Sequence, residues 1–297
     1  MTPDKIAIGG AQFGLDYGIN NTTGIVKDAR QLLRHAYISG IRTLDTAKLY
    51  GSSESAIGNA IEPFHSNPFD IVTKLPPIPD GTGDIKEWVE NQARDSIRKL
   101  GCHQLYALLL HRPNQLSDKK IGQCLYEALN ALVDSGLVKK IGISVYNPAE
   151  LEILERFKLL NIVQLPINTF DRRFLDSGSI TSLAERKIEI HARSIFLQGL
   201  LLMSKSDLPP YFHQWLSILD AWHNFLRSND LTPIEGCISF IKQVPHLDKV
   251  VIGIDSLDNL VGILNAVEST KTASINILDL PSSSNEKLIA PSNWKFS

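Results

Sequence analysis

Eight short apolar runs, separated by longer segments of helical periodicity, constrain this chain more than any other feature. They occupy residues 6–9, 41–44, 71–74, 105–110, 140–144, 162–165, 188–191 and 250–253. Runs this short and this rich in β-branched residues read as strands buried on both faces, the pattern of a parallel sheet covered by helices. Between them, apolar residues recur at helical spacing. In residues 28–39 these are Leu32, Leu33, Ala36 and Tyr37, and Gly40 closes the segment. Residues 88–100 end at Gly101 and residues 121–135 at Gly136. A glycine just past a helix takes the left-handed conformation that ends it. Asn147 followed by Pro148 reads as an N-cap with proline at the first helical position. Strand, helix, glycine and next strand repeat along the chain, which predicts a closed (β/α)8 TIM barrel rather than an open sheet. A doubly wound sheet would call for a glycine-rich fingerprint after its first strand. Gly81-x-Gly83 does not supply one, because it follows a proline-rich loop and has no third glycine.

The length of 297 residues suits one such barrel, since the fold takes about 250 residues. The expected organisation is a single domain over residues 1–297, with residues 281–297 as a C-terminal tail near the barrel mouth. Pro76-Pro77-Ile78-Pro79 reads as a stiff mouth loop. A net charge of -2 gives no electrostatic footprint for nucleic acid or an anionic membrane. The longest apolar stretch, residues 195–203, is interrupted by Gln198 and Gly199 and is too short to span a bilayer. The opening MTPDKIAIGG does not read as a signal peptide. Cys102, Cys124 and Cys237 are widely spaced and lack a C-x-x-C pair, which argues against a disulfide framework and a zinc site and fits a reducing compartment. A cytoplasmic location is expected. No metal is expected either, because His35, His65, His103, His213 and His223 have no ligand spacing. The sequon Asn21-Thr22-Thr23 carries no meaning without export.

Chemistry-bearing residues fall at the predicted strand ends. Asp45 follows the second strand, Lys74 ends the third, His111 follows the fourth, Ser144 ends the fifth and Gln164 lies near the end of the sixth. Barrel enzymes hold their active sites at this face. Tyr50, five residues after Asp45, can turn back over the mouth. Taken singly, each has an ordinary structural role: a turn cap, a rim aromatic, a solvated strand end, a hydrogen-bonded histidine. Their placement on consecutive strand ends favours catalysis. A tyrosine, with its pKa of about 10, is brought toward neutral proton exchange by a nearby ammonium, here Lys74. Asp45 would keep that ammonium charged. An imidazole N–H of His111 can polarise a carbonyl oxygen, and Tyr50 can protonate the alkoxide that develops. Side chains supply no hydride, whereas a nicotinamide does.

The stretch Leu44-Asp45-Thr46-Ala47-Lys48-Leu49-Tyr50-Gly51 resembles the signature of the aldo-keto reductase superfamily. Ile71-Val72-Thr73-Lys74 and Leu108-Leu109-Leu110-His111-Arg112-Pro113 resemble its lysine and histidine motifs. Gly142-Ile143-Ser144, Val163-Gln164-Leu165-Pro166-Ile167-Asn168 and Arg193-Ser194-Ile195-Phe196-Leu197-Gln198-Gly199-Leu200-Leu201 are similar to the family's next strand ends and the loop after strand seven. The set covers nearly the whole chain in the family's order. The resemblance implies a (β/α)8 fold and NAD(P)H-linked reduction of a small-molecule aldehyde or ketone, with Tyr50 as acid, Lys74 and Asp45 tuning it and His111 orienting the carbonyl. It further implies that Ser144 and Gln164 hold the nicotinamide carboxamide, that Ser194, Phe196 and Gln198 line the pyrophosphate path, and that the segment from Gly253 to Ser256 approaches the adenosine phosphate. This chain departs from the family in three places. Val145 stands where an asparagine is common. Arg193 stands where an aromatic residue stacks on the nicotinamide, a place that a guanidinium plane can also take. Asp255 and Asp258 stand where basic residues would grip a 2′-phosphate, so the cofactor is NADPH or NADH. The rival readings are a nicotinamide-binding regulatory barrel of low turnover and a lyase using Lys74 as a Schiff base.

Overall fold

The eight runs pair edge to edge in chain order and close on themselves. In the computed structural model, which describes residues 1–19, 25–64, 67–269, 276 and 279–295, they form β1 (Ile6–Gly9), β2 (Thr43–Asp45), β3 (Asp70–Leu75), β4 (Leu105–Leu110), β5 (Val138–Ser144), β6 (Ile162–Pro166), β7 (Glu189–Arg193) and β8 (Lys249–Gly253). Each is parallel to its neighbours, and β8 returns to β1, giving a closed barrel. The Asn21 sequon and His65 lie outside the described residues. The helices are α1 (Ala29–Ile38), α2 (Ser53–Ile61), α3 (Ile85–Leu100), α4 (Gly122–Asp134), α5 (Ile153–Arg156), α6 (Arg173–Asp176), α7 (Ser179–Glu185), α8 (Leu216–Ser228), α9 (Pro233–Gln243), α10 (Leu257–Glu268) and α11 (Glu286–Ile289). Their ends follow local chemistry. The Asp28 carboxylate accepts from the Gln31 N–H at 2.9 Å to start α1, and Gly101 ends α3 at φ 63°.

Register places the polar strand ends side by side. Gly9 pairs with both Asp45 and Gly253, Asp45 with Val72, and Ser144 with Gln164. Several strands begin or end at polar residues that an apolar pattern does not mark. β2 starts at Thr43 and ends at Asp45, β7 starts at Glu189 and runs on to Arg193, and β5, from Val138, takes in Lys139 ahead of its expected start. The reason is visible inside the barrel, which is polar at both ends and apolar only in a thin middle layer. Val72, Ala107, Leu109 and Ile162, all fully buried, make that layer. Gly142 sits beside it because a Cβ there would come within 2.1 Å of the Ile162 carbonyl oxygen.

Below the layer, at the N-terminal end of the strands, Glu189 gathers three donors. Tyr106 Oη donates to its Oε2 at 2.8 Å, the Lys140 ammonium pairs with the same oxygen, and His191 Nε2 lies 2.7 Å from Oε1. Burial pushes the Glu189 carboxyl up, but the hydrogen bonds from His191, Lys140 and Tyr106 outweigh it and hold it at about 2. This value lies below the ordinary 4.5, so the carboxylate stabilises the fold fully above pH 4.5 and loses that contribution as pH falls toward 2.

Glu189→Gln should therefore cost about 2 kcal/mol at neutral pH and flatten the decline in stability on acidification. Urea unfolding midpoints between pH 3 and pH 7 measure both effects. A variant whose pH profile runs parallel to that of the parent protein would refute this account of Glu189.

Candidate active site

At the C-terminal ends of the strands lies a cavity of about 800 Å³. Its floor is an ion pair. Lys74 Nζ donates to Asp45 Oδ1 at 2.6 Å and to the Thr46 carbonyl oxygen at 2.9 Å, and the two side chains are 1% and 4% exposed. Gln164 Nε2 donates to the other carboxylate oxygen at 2.6 Å. Both Asp45 oxygens are thus engaged, and β2, β3 and β6 are tied together across the barrel. The loop after β2 is held by the Thr46 and Ser53 hydroxyls, 2.8 Å apart, and by Ser53 Oγ donating to the Gly10 carbonyl oxygen at 2.6 Å. Gly14 lets that backbone approach, since a Cβ there would meet the Tyr50 carbonyl oxygen at 2.1 Å.

Held this way, the Tyr50 ring stands 5.4 Å from Lys74 Nζ and edge-on to His111, with ring centroids 5.8 Å apart. The expected lowering of the Tyr50 pKa by Lys74 is not what this site does. Burial, followed by the Asp45 carboxylate, holds the phenol above its ordinary value against the pull of Arg193. The physical reason is that the ring is taken out of water and that Asp45, the partner of Lys74, opposes a second negative charge beside it. His111, one residue past β4, is pushed down to about 4 by burial, then by Lys74 and Arg193. It is therefore a neutral imidazole at pH 7, with one nitrogen a donor and the other an acceptor. Two neutral donors converge above a buried ammonium, an arrangement able to stabilise negative charge developing on an oxygen.

The remaining expected residues divide unevenly. Ser144, Gln164, Arg193, Ser194, Phe196, Gln198 and Gly253 all line the same cavity as Asp45, Tyr50, Lys74 and His111. Ser256 does not. Its hydroxyl accepts from the Asn259 N–H at 3.2 Å to cap α10 and donates to Asp255 Oδ1 at 2.9 Å. Gln164 faces down to Asp45, with one amide hydrogen and its oxygen left over. Arg193 donates to the Val145 carbonyl oxygen at 2.9 Å and lies 4.5 Å over the Tyr146 ring. In the loop after β7, Ser194, Leu197 and Gln198 adopt left-handed φ values of 62°, 48° and 52°, and the Leu197 and Gly199 N–H groups close turns on the Ser194 and Phe196 carbonyl oxygens, each at 2.9 Å.

Two further residues were not singled out from the sequence. Gln12 and Asn259 line the cavity, and Gln12 Oε1 and Asn259 Oδ1, like His111 Nδ1, are buried with no partner among the described residues. Gln12 lies just past β1, so the strand-end rule that marked Asp45 applies to it as well. Unpaired buried polar atoms spread along one trough fit a long polar ligand.

The aldo/keto reductase family model matches residues 5–279. This chain belongs to the aldo/keto reductase family. Among curated proteins it is similar to a 6-dehydroglucose reductase of Agrobacterium fabrum, at 27% identity over half of this chain and 54% of the other. It is also similar to aldo-keto reductase YhdN of Bacillus subtilis, at 25% identity over 58% of this chain and 50% of the other. The chain spans about half the length of the curated relatives it matches. Among solved structures, the holo form of aldo-keto reductase AKR11C1 from Bacillus halodurans superposes with a TM-score of 0.70 at 19% identity, covering 93% of this chain and 89% of that one, which shows a shared fold. Among the described residues of this aldo/keto reductase there is no cluster of three or more metal-ligating side chains, and no helix is long and apolar enough to cross a membrane.

Titration of the His111 ring, followed by its imidazole proton shifts, should give a midpoint near 4. Arg193→Gln should move that midpoint upward, because it removes a cation that opposes protonation. A midpoint near the ordinary histidine value in the parent protein would sink the assignment of a neutral ring.

Proposed function

We propose that this protein is an NAD(P)H-dependent oxidoreductase that reduces an aldehyde or ketone of a small molecule, with Tyr50 as the proton donor. One observation carries the reading: the buried Lys74–Asp45 pair lies beneath a Tyr50 ring set edge-on to a neutral His111. A bound nicotinamide supplies the hydride. His111 donates a hydrogen bond to the carbonyl oxygen and orients it. Tyr50, kept protonated by its surroundings, holds the proton that the oxygen takes up. The Lys74 ammonium lies close enough to stabilise the phenolate left behind. Lys74 is poorly suited to the Schiff-base reading, which needs an uncharged amine, because it is ion-paired and directs hydrogen bonds to Asp45 and Thr46.

Ser144 and Gln164 would hold the carboxamide of the cofactor, and Arg193 would border its ring. Ser194, Phe196 and Gln198 would line the path of its pyrophosphate. Gly253 would admit the adenosine end, with Gln12 and Asn259 supplying acceptors. The basic residues lining the cavity are Lys74, Arg112, Arg173 and Arg193, none of them from the β8 side, where Asp255 stands. From Gly253 to Ser269 the chain has no lysine or arginine. This charge pattern favours a cofactor without a 2′-phosphate. The reading places one catalytic unit over residues 1–297, with the tail from residue 281 bordering the mouth. It also places the protein in the cytoplasm, where Cys102, Cys124 and Cys237 stay as free thiols.

Tyr50→Phe should lower turnover by ~10²–10⁴-fold while leaving cofactor affinity nearly intact, as read by steady-state rates and a fluorescence titration. Rates equal to those of the parent protein would overturn the assignment. In the same titration NADH should bind at least as tightly as NADPH, and Asp255→Arg should shift the ratio toward NADPH. A strong NADPH preference in the parent protein would contradict the charge argument.

A further inference from the structure

The β4–β7 side of the cavity carries two guanidiniums that no carboxylate answers. Arg112 directly follows His111, and its Cζ lies 5.3 Å over the Tyr146 ring. Arg193 ends β7, and its Cζ lies 4.5 Å over the same ring. Arg193 Nη2 donates to the Val145 carbonyl oxygen at 2.9 Å, and Nη1 donates to Ser194 Oγ at 3.3 Å. These contacts turn the guanidinium across β6 to the end of β5 and leave three of its five N–H donors over. The other cations of the cavity are balanced. Lys74 pairs with Asp45, and Arg173 pairs with Asp171 at 2.8 Å and Glu286 at 3.2 Å. Among the described residues, neither Arg112 nor Arg193 forms an ion pair.

Two unanswered cations held on one aromatic plate repel one another, and the cation–π contacts offset only part of that cost. The unbalanced charge is felt at the catalytic centre, because Arg193 and Arg112 both add to the depression of the His111 pKa. Tyr146 keeps both groups over one ring, so less side-chain freedom is lost when a ligand arrives. The fork of N–H groups on a guanidinium matches the oxygens of a carboxylate or a phosphate.

We propose that Arg112 and Arg193, gathered over Tyr146 beside His111, bind an anionic oxygen group on the substrate, so that the protein acts on carbonyl compounds bearing a carboxylate or phosphate. This rests on the reductase reading. The acidic group lies apart from the reacting carbonyl, whose oxygen goes to Tyr50 and His111. The site thus selects molecules with two oxygen functions, one reduced and one held.

The test compares ω-oxo acids of two to six carbons with the unsubstituted aldehydes of the same chain length, and glyceraldehyde 3-phosphate with glyceraldehyde. At least one acidic member should exceed its neutral partner in kcat/KM by about tenfold or more, chiefly through KM. The set that shows the preference identifies carboxylate or phosphate as the group bound. Arg112→Gln and Arg193→Gln should each reduce the preference. Equal use of acidic and neutral members overturns the inference and leaves the reductase reading standing. A preference that survives both substitutions also overturns it, as does loss of cofactor affinity in Arg193→Gln with the preference retained, which would assign that guanidinium to the cofactor. Turnover of neither set removes the reductase reading and this inference with it.

Discussion

A lysine and an aspartate locked together at the centre of the barrel mouth are the constraint on which the rest of the site depends. A charge buried this deeply is tolerated only when paired and hydrogen-bonded. Lys74 and Asp45 meet both conditions by spending their donors and acceptors on each other, on Thr46 and on Gln164. Three strands contribute to the network, so the barrel must close in register for it to form. Removing one partner would strand the other charge and loosen the floor on which Tyr50 rests.

The same pair sets the electrostatics above it. Burial and the Asp45 carboxylate keep Tyr50 a phenol, while His111 loses its charge to burial and to the cations around it, Lys74 first among them. Tyr50 and His111 are then neutral donors at the mouth, and the net positive character of the wall comes from Arg112 and Arg193. The polar network at the opposite end of the barrel is kept apart by the layer of Val72, Ala107, Leu109 and Ile162. Glu189 can therefore serve stability without touching the cavity.

Much of this was legible in the sequence. Short strands buried on both faces leave a plain apolar pattern, and strand ends mark the barrel mouth, so Asp45, Lys74, His111, Ser144 and Gln164 can be placed around one cavity from the sequence alone. Tyr50 followed from its distance to Asp45. What escaped depended on side-chain direction or on partners remote in the chain. Ser256 reads as a ligand from its position, yet its hydroxyl is consumed by the start of α10. The direction of the Tyr50 pKa depends on how deeply the ring is buried and on the nearby Asp45 carboxylate, which no local pattern encodes. Arg112 reads as part of the histidine motif, and nothing local shows that it shares the Tyr146 ring with Arg193, both well separated from it in sequence. β5 begins two residues before its expected start, taking in the polar Lys139, and β7 runs two residues past its expected end to the polar Arg193.

The loop after β7 places three residues that have side chains in a backbone region suited to glycine, at Ser194, Leu197 and Gln198. Each costs on the order of 1–3 kcal/mol, met by the packing around it. Glycine at these positions would relieve the strain and let the loop wander, giving up the fixed curve it presents to the cavity. Under the proposed function, selection for heat resistance and selection for affinity would therefore pull this loop in opposite directions.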